Sequence, residues 1–204
     1  MDYPDKFLTD EYFHLLLEES LTKEKVEALF KGTVSIIQND ILMHDIEIQE
    51  ATREDAPIAQ VGFMYDERTH SVRHLITVNY QRMIDFPIPR ILLVAAHECG
   101  HLFASEEKTN DLERGSITID EYIEFIRRKD GDWYQQESEL KADQFGFFRS
   151  KNIYQRAVHD ASDDFLKQYF WDCYRQIEMN EMIEMEKHRV STGENDERKT
   201  NSTL

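Results

Sequence analysis

Cysteine is scarce: the 204 residues hold only Cys99 and Cys173. With two thiols and no Cys-x-x-Cys pair there is no disulfide framework to expect. Positive charge is scarce too, with 24 Lys and Arg against 41 Asp and Glu and a formal charge of −17. That balance repels phosphate backbones, so direct nucleic-acid binding is not expected. It equally disfavours docking on an anionic membrane surface. No apolar stretch approaches the roughly 18 residues that cross a bilayer. The opening Met-Asp-Tyr-Pro-Asp-Lys-Phe lacks the basic segment and apolar run of a secretory signal. The expected location is therefore cytoplasmic, in a reducing compartment.

What is present is enough to fold. Hydrophobic residues make up 40% of the chain and aromatics 11%, which supports a real core and argues against wholesale disorder. The acidic excess is spread along the chain. Residues 106–143 contribute −6 of it, with twelve acidic groups against six basic. The plain reading is a solvated surface; the sharper one is an acidic decoy that mimics DNA.

Periodicity gives an α+β domain over residues 1–189, with its centre at about 46–150 and no internal repeat. Residues 10–30 read as helix, with a restart at Thr22, and a helical run continues to about Met43. Ile46-Glu47-Ile48-Gln49-Glu50 alternates as a half-buried strand does. Val61–Tyr65 and Leu75–Tyr80 read as a hairpin-like pair joined by the polar stretch 66–71. Pro87 and Pro89 precede a helix expected over Arg90–Phe103. A loop at 111–117, a short helix at 118–128, a break at Gly131 and a helix from Tyr134 to Phe148 follow. A last helix is expected at about 162–188. Residues 190–204 read as a disordered tail.

His97-Glu98-Cys99-Gly100-His101 is the most informative segment. Residues four apart on a helix lie on one face, so His97 and His101 can direct two imidazole nitrogens at one zinc ion. Glu98, one step round, is positioned to take a proton from water without ligating. Leu92, Ala95, Ala96, Cys99, Leu102 and Phe103 form the opposite, apolar face. Gly100 costs a helix about 1 kcal/mol, which points to close packing there. Downstream, Glu139-Leu140-Lys141-Ala142-Asp143 places Glu139 and Asp143 on one helical face. Glu139 can complete a His2Glu set, and Asp143 can accept a hydrogen bond from the outer nitrogen of His97 or His101. Ala142 is small enough to let the two helices approach.

The run Ile76-Thr77-Val78-Asn79, then His97-Glu98-Cys99-Gly100-His101, then Glu139-Leu140-Lys141-Ala142-Asp143-Gln144-Phe145, resembles the ImmA/IrrE family of small gluzincin metallopeptidases. The likeness covers roughly residues 46–150. It implies a three-stranded sheet packed on the zinc helix, and a phage or mobile-element setting in which a repressor is cleaved. It also implies His97, His101 and Glu139 as metal ligands and Glu98 as catalytic base. Gly146 stands where that pattern has alanine, and the interval from His101 to Glu139 is longer, as if about 105–133 were inserted.

The expected activity is thus zinc-dependent hydrolysis of a peptide bond, with Glu98 as general base, in a protein or peptide substrate such as a DNA-binding repressor. A strand at 75–80, if it is an edge, can hold an extended peptide by strand addition. Tyr154, Arg156 and His159 are candidate oxyanion donors, each with the plainer reading of a surface residue. The alternative function is a non-catalytic acidic regulator, either DNA-mimic-like or a degenerate peptidase with structural zinc. His14, His44, His70, His74 and His188 lack ligand-like spacing and read as exposed or structural. Met179, Met182 and Met185 read as a packing stripe, Trp133 and Trp171 as packing anchors, and Cys99 as a small buried residue.

Overall fold

Thr22 starts helix α1 (Lys23–Ile41). Its hydroxyl accepts a hydrogen bond from the Lys25 N–H at 3.4 Å, and its carbonyl accepts one from the Val26 N–H. This satisfies backbone donors that a helix start leaves free. Val26, Leu29, Phe30, Val34 and Ile37, spaced by three and four, form the buried face. The computed structural model describes residues 15–16, 20–41, 43–129 and 132–157, with side chains described to Ile126 and again from Ser138 to Tyr154. The expected helix at 162–188 with its methionine stripe, the tail, Cys173 and Trp171 lie outside the described residues, as does the side chain of Trp133.

Three strands form one sheet: β1 (Ile46–Glu50), β2 (Ala59–Asp66) and β3 (Ser71–Val78), in the order β1-β3-β2. β1 runs parallel to β3, with Ile48 opposite Ile76, and β2 is antiparallel to it, with Val61 also opposite Ile76. The strand expected at 75–80 is therefore central, and β1 and β2 are the edges. The hairpin returns β3 between two strands that precede it, an arrangement that no local pattern encodes. Along β3, Val72, His74, Ile76 and Val78 are buried while Ser71 and Arg73 are exposed, the alternation of a strand with one covered face. A short 3-10 turn, Tyr80–Met83, leads out of it.

The central helix, α2, runs from Ile88 to Glu113 and ends ten residues beyond the Phe103 that periodicity suggests. Pro87 and Pro89 sit at its first turn, where a missing N–H costs nothing. Beyond Phe103 the chain turns polar, yet Ser105, Thr109 and Leu112 stay buried. Ser105 donates to the Leu102 carbonyl at 2.8 Å and Thr109 to that of Ser105 at 3.1 Å, so the helix absorbs its own hydroxyls. That is why the expected loop at 111–117 starts later. Gly115, at φ +68°, closes the helix by donating to the Leu112 carbonyl at 3.0 Å.

A capping box opens α3 (Ile119–Lys129). Thr118 Oγ1 accepts from the Glu121 N–H at 3.3 Å, and Glu121 accepts from the Thr118 N–H at 2.7 Å. Tyr122 fills the space between Leu112, Val72 and Phe63, with its hydroxyl 2.9 Å from that of Thr109. The last described helix is α4 (Asp132–Ala157). The chain is α+β, with four helices and a three-stranded mixed sheet among the described residues. The main core lies between α1, α2 and the inner face of β3. No described helix is long and apolar enough to cross a membrane.

Candidate metal centre

The candidate site depends on how closely α2 and α4 approach. A Cβ added to Gly100 would stand 2.9 Å from Ala142 Cα, and one added to Gly146 would stand 2.9 Å from the His97 backbone nitrogen. Both contacts are with backbone, so neither position has room for a side chain. Gly100 and Ala142 meet as the sequence suggested. Gly146, the departure from the family pattern, lets α4 lie against His97 itself. Partners of 97, 100 and 101 on α4 fall at 146, 142 and 138, so the helices run antiparallel.

This packing brings together the residues that the two motifs single out. His97 Nε2 and His101 Nε2 are 3.0 Å apart, with their rings nearly perpendicular. The Glu139 carboxylate closes the third side, 3.2 Å from His97 Nε2 and 3.4 Å from His101 Nε2. Behind them, His97 Nδ1 bonds to Asp143 Oδ1 at 2.8 Å, and His101 Nδ1 lies 3.3 Å from Ser138 Oγ. Asp143 thus selects His97, which the sequence left open, and Ser138 serves His101, which the sequence did not indicate. With a metal ion bound, a proton on each Nδ1 would free both Nε2 atoms to ligate beside the Glu139 oxygens. Three donors of this kind within 4.8 Å of one another fit one divalent zinc-like ion.

The electrostatics reflect the same crowding. Burial alone would lower the pKa of His97, but hydrogen bonds to Asp143 and Glu139 and the charge of Glu98 outweigh it and hold the ring up to about 10. Hydrogen bonds from His101 and His97 hold Glu139 well below the usual carboxylate range. Glu98 behaves in the opposite way. It is only 7% exposed, and burial raises its pKa against the pull of His97 and His101. Cys99 is fully buried, and burial pushes its thiol up, so it is no nucleophile.

The site opens into a cleft of about 420 Å³. His97, Glu98, His101 and Glu139 line one wall, and Ala59–Phe63 of the edge strand β2 lines another. Tyr122 and Ile126 of α3 also border it, so the segment that lengthens the His101–Glu139 interval forms part of the wall. Spacing of Ile119, Tyr122 and Ile126 signals a packed helix, but not the surface it packs on.

Other expected placements differ. Tyr154 is buried in the main core and does not line the cleft. Arg156 and His159 lie outside the described side chains. Phe103 belongs to no buried face; it is 49% exposed and stacks on Phe145 at 5.3 Å. His70 is exposed at the β2–β3 turn, bonded to the Tyr65 hydroxyl at 2.9 Å. His14 and His188 fall outside the described residues. His44 and His74, which lack any sequence spacing that pairs them, meet each other and Glu106.

Compared with protein-family models, curated proteins and solved structures, the chain matches none.

Proposed function

We propose that this chain is a zinc-dependent endopeptidase of the gluzincin type, similar to the ImmA/IrrE family, forming one catalytic domain over residues 1–189. The observation that carries the reading is the convergence of His97, His101 and Glu139 beside a buried Glu98 at the wall of a cleft. A zinc ion held by those three side chains supplies a Lewis acid that acidifies water and polarises a carbonyl. Asp143 and Ser138 hold the two imidazoles in the tautomer that leaves Nε2 free to ligate. Glu98, its pKa raised by burial, accepts a proton from the attacking water and passes it to the departing amine. The exposed edge of β2, with Ala59–Phe63 against the cleft, can take up an extended peptide by strand addition. The substrate is then a protein segment able to lie extended.

The charge of −17 favours a basic partner, such as a DNA-binding repressor cleaved in the cytoplasm. The same charge motivates a second reading, a non-catalytic acidic regulator. Incubating zinc-loaded wild type and Glu98→Gln with a candidate repressor separates the two. Cleavage by wild type alone supports the peptidase. A tight, salt-sensitive complex formed equally by both proteins, without cleavage, supports the regulator. Purified protein that takes up no zinc counts against the peptidase directly.

A further inference from the structure

His74 stands where the pattern of its strand calls for an aliphatic residue. It shares the inner face of β3 with Val72, Ile76 and Val78 and is 1% exposed. Its Nε2 is buried and has no hydrogen-bond partner. It points at Glu106 of α2, whose Oε2 is 3.4 Å away, also buried and also without a hydrogen bond. A buried imidazole nitrogen and a buried carboxylate oxygen that meet at 3.4 Å without a hydrogen bond are a costly arrangement that native structures rarely leave unexplained. The third member is His44, from the segment between α1 and β1. Its Nδ1 contacts Glu106 Oε1, and its Nε2 lies 2.9 Å from Glu113 Oε2, about two turns further along α2. The His44 and His74 rings are 5.7 Å apart and nearly perpendicular.

We infer that His44, His74 and Glu106 form a second, structural zinc site, with Nδ1 of His44, Nε2 of His74 and a Glu106 oxygen as protein ligands. One donor atom from each of the three lies within 4.8 Å of the other two. Two imidazoles and one carboxylate suit zinc, whereas calcium and magnesium take oxygen ligands throughout. Glu113 accepts the remaining His44 N–H, as a carboxylate behind a metal-binding histidine does, and as Asp143 does for His97. An ion pair of protonated His44 with Glu106 and Glu113 would account for His44. His74 Nε2 and Glu106 Oε2, 3.4 Å apart, could pair only with a charge on an imidazole that is 1% exposed, and a cation between them takes the place of that charge. The ligands come from a connecting segment, the central strand and the central helix. An ion there ties the start of β1 and the core face of β3 to α2, away from the cleft.

The test counts zinc on tag-free, full-length protein, stripped with chelator, reloaded with zinc alone and dialysed. Wild type is expected to hold two equivalents and His97→Ala/His101→Ala one. Adding His44→Gln to that double variant should remove the last equivalent, together with any rise in melting temperature on zinc addition. A double variant that binds no zinc overturns the second site. So does an equivalent that survives His44→Gln. If the double variant does not fold, the single variant His44→Gln decides, because it must lose one of the two wild-type equivalents. The result is distinguishable from the fate of the peptidase reading. Wild type with one zinc that persists in the double variant keeps the second site and removes the catalytic one. Wild type with one zinc that is lost there does the reverse.

Discussion

Helix α2 carries two histidine–carboxylate clusters with the same donor types and different exposure to solvent. His97 and Glu106 are nine residues apart, two and a half turns, so the clusters occupy opposite sides of the helix. In the first, the Glu139 side chain is 52% exposed and a cleft adjoins it. In the second, His74 is 1% exposed on the inner face of β3, while His44 and Glu106 are partly exposed. Each has a carboxylate behind one histidine, Asp143 in one case and Glu113 in the other. Among the described residues, the first also has a buried carboxyl group beside the donors, Glu98. The same donors can therefore serve different ends. On the proposed readings, an open coordination position and a base would make chemistry possible at the first cluster, and ligands from a strand, a helix and a connecting segment would make the second a staple.

The largest effect that would break this contrast comes from Glu98. Glu98→Gln should lower peptide hydrolysis by about 10²–10⁴-fold, the usual contribution of a general base, with zinc content unchanged by elemental analysis. Turnover equal to wild type would put both clusters in the non-catalytic class. Next in size are the supporting carboxylates. Asp143→Asn should weaken zinc at the cleft by about 10–100-fold, and Glu113→Gln should do the same at the buried cluster alone. Chelator competition reads both, and loss of the same equivalent in the two variants would merge the clusters into one site.

The helix contact comes third. Gly100→Ala and Gly146→Ala push a methyl group against backbone, at a cost of about 1–3 kcal/mol in overpacking. Better helix propensity returns up to about 1 kcal/mol of that. The melting temperature should fall by a few degrees, at about 2–4 °C per kcal/mol for a chain of this size; a rise would mean that α2 and α4 are not in close contact. Ser138→Ala should be the mildest, removing one long hydrogen bond at a net cost of about 1 kcal/mol. Zinc affinity at the cleft should drop by less than about tenfold, and a loss matching that of Asp143→Asn would show that both imidazoles need equal support.

Much of the element order was legible because helices and strands announce themselves locally. β1 falls at Ile46–Glu50, where alternation put it, and the ends of β2, β3 and α3 lie within four residues of expectation. The pairing of His97 with His101 was legible for the same reason, since one helical turn separates them. The length of α2 was not. Its last two turns bury Ser105 and Thr109, and polar residues in a buried face defeat a hydrophobic pattern. The role of β3 as the central strand was not legible either, because strand order depends on which chain segments meet and leaves no periodic trace. Gly146 illustrates the middle ground. Its identity stood out as a departure, but only the contact with the His97 backbone explains it.

The sequence by itself determined what a single helix or strand can express: α+β character, the His97–Glu98–His101 face, the acidic face of Glu139 and Asp143, and the charge that disfavours nucleic acid. Tertiary structure decided everything that joins residues far apart along the chain. It settled which histidine Asp143 serves, that β2 is the edge beside the cleft, and that His44 and His74 lie against Glu106 across gaps of 62 and 32 residues. The division has a physical cause. Helical and strand periods fix the relative directions of near neighbours without reference to the rest of the chain. Distant side chains meet only when the buried faces of several elements have closed on one another.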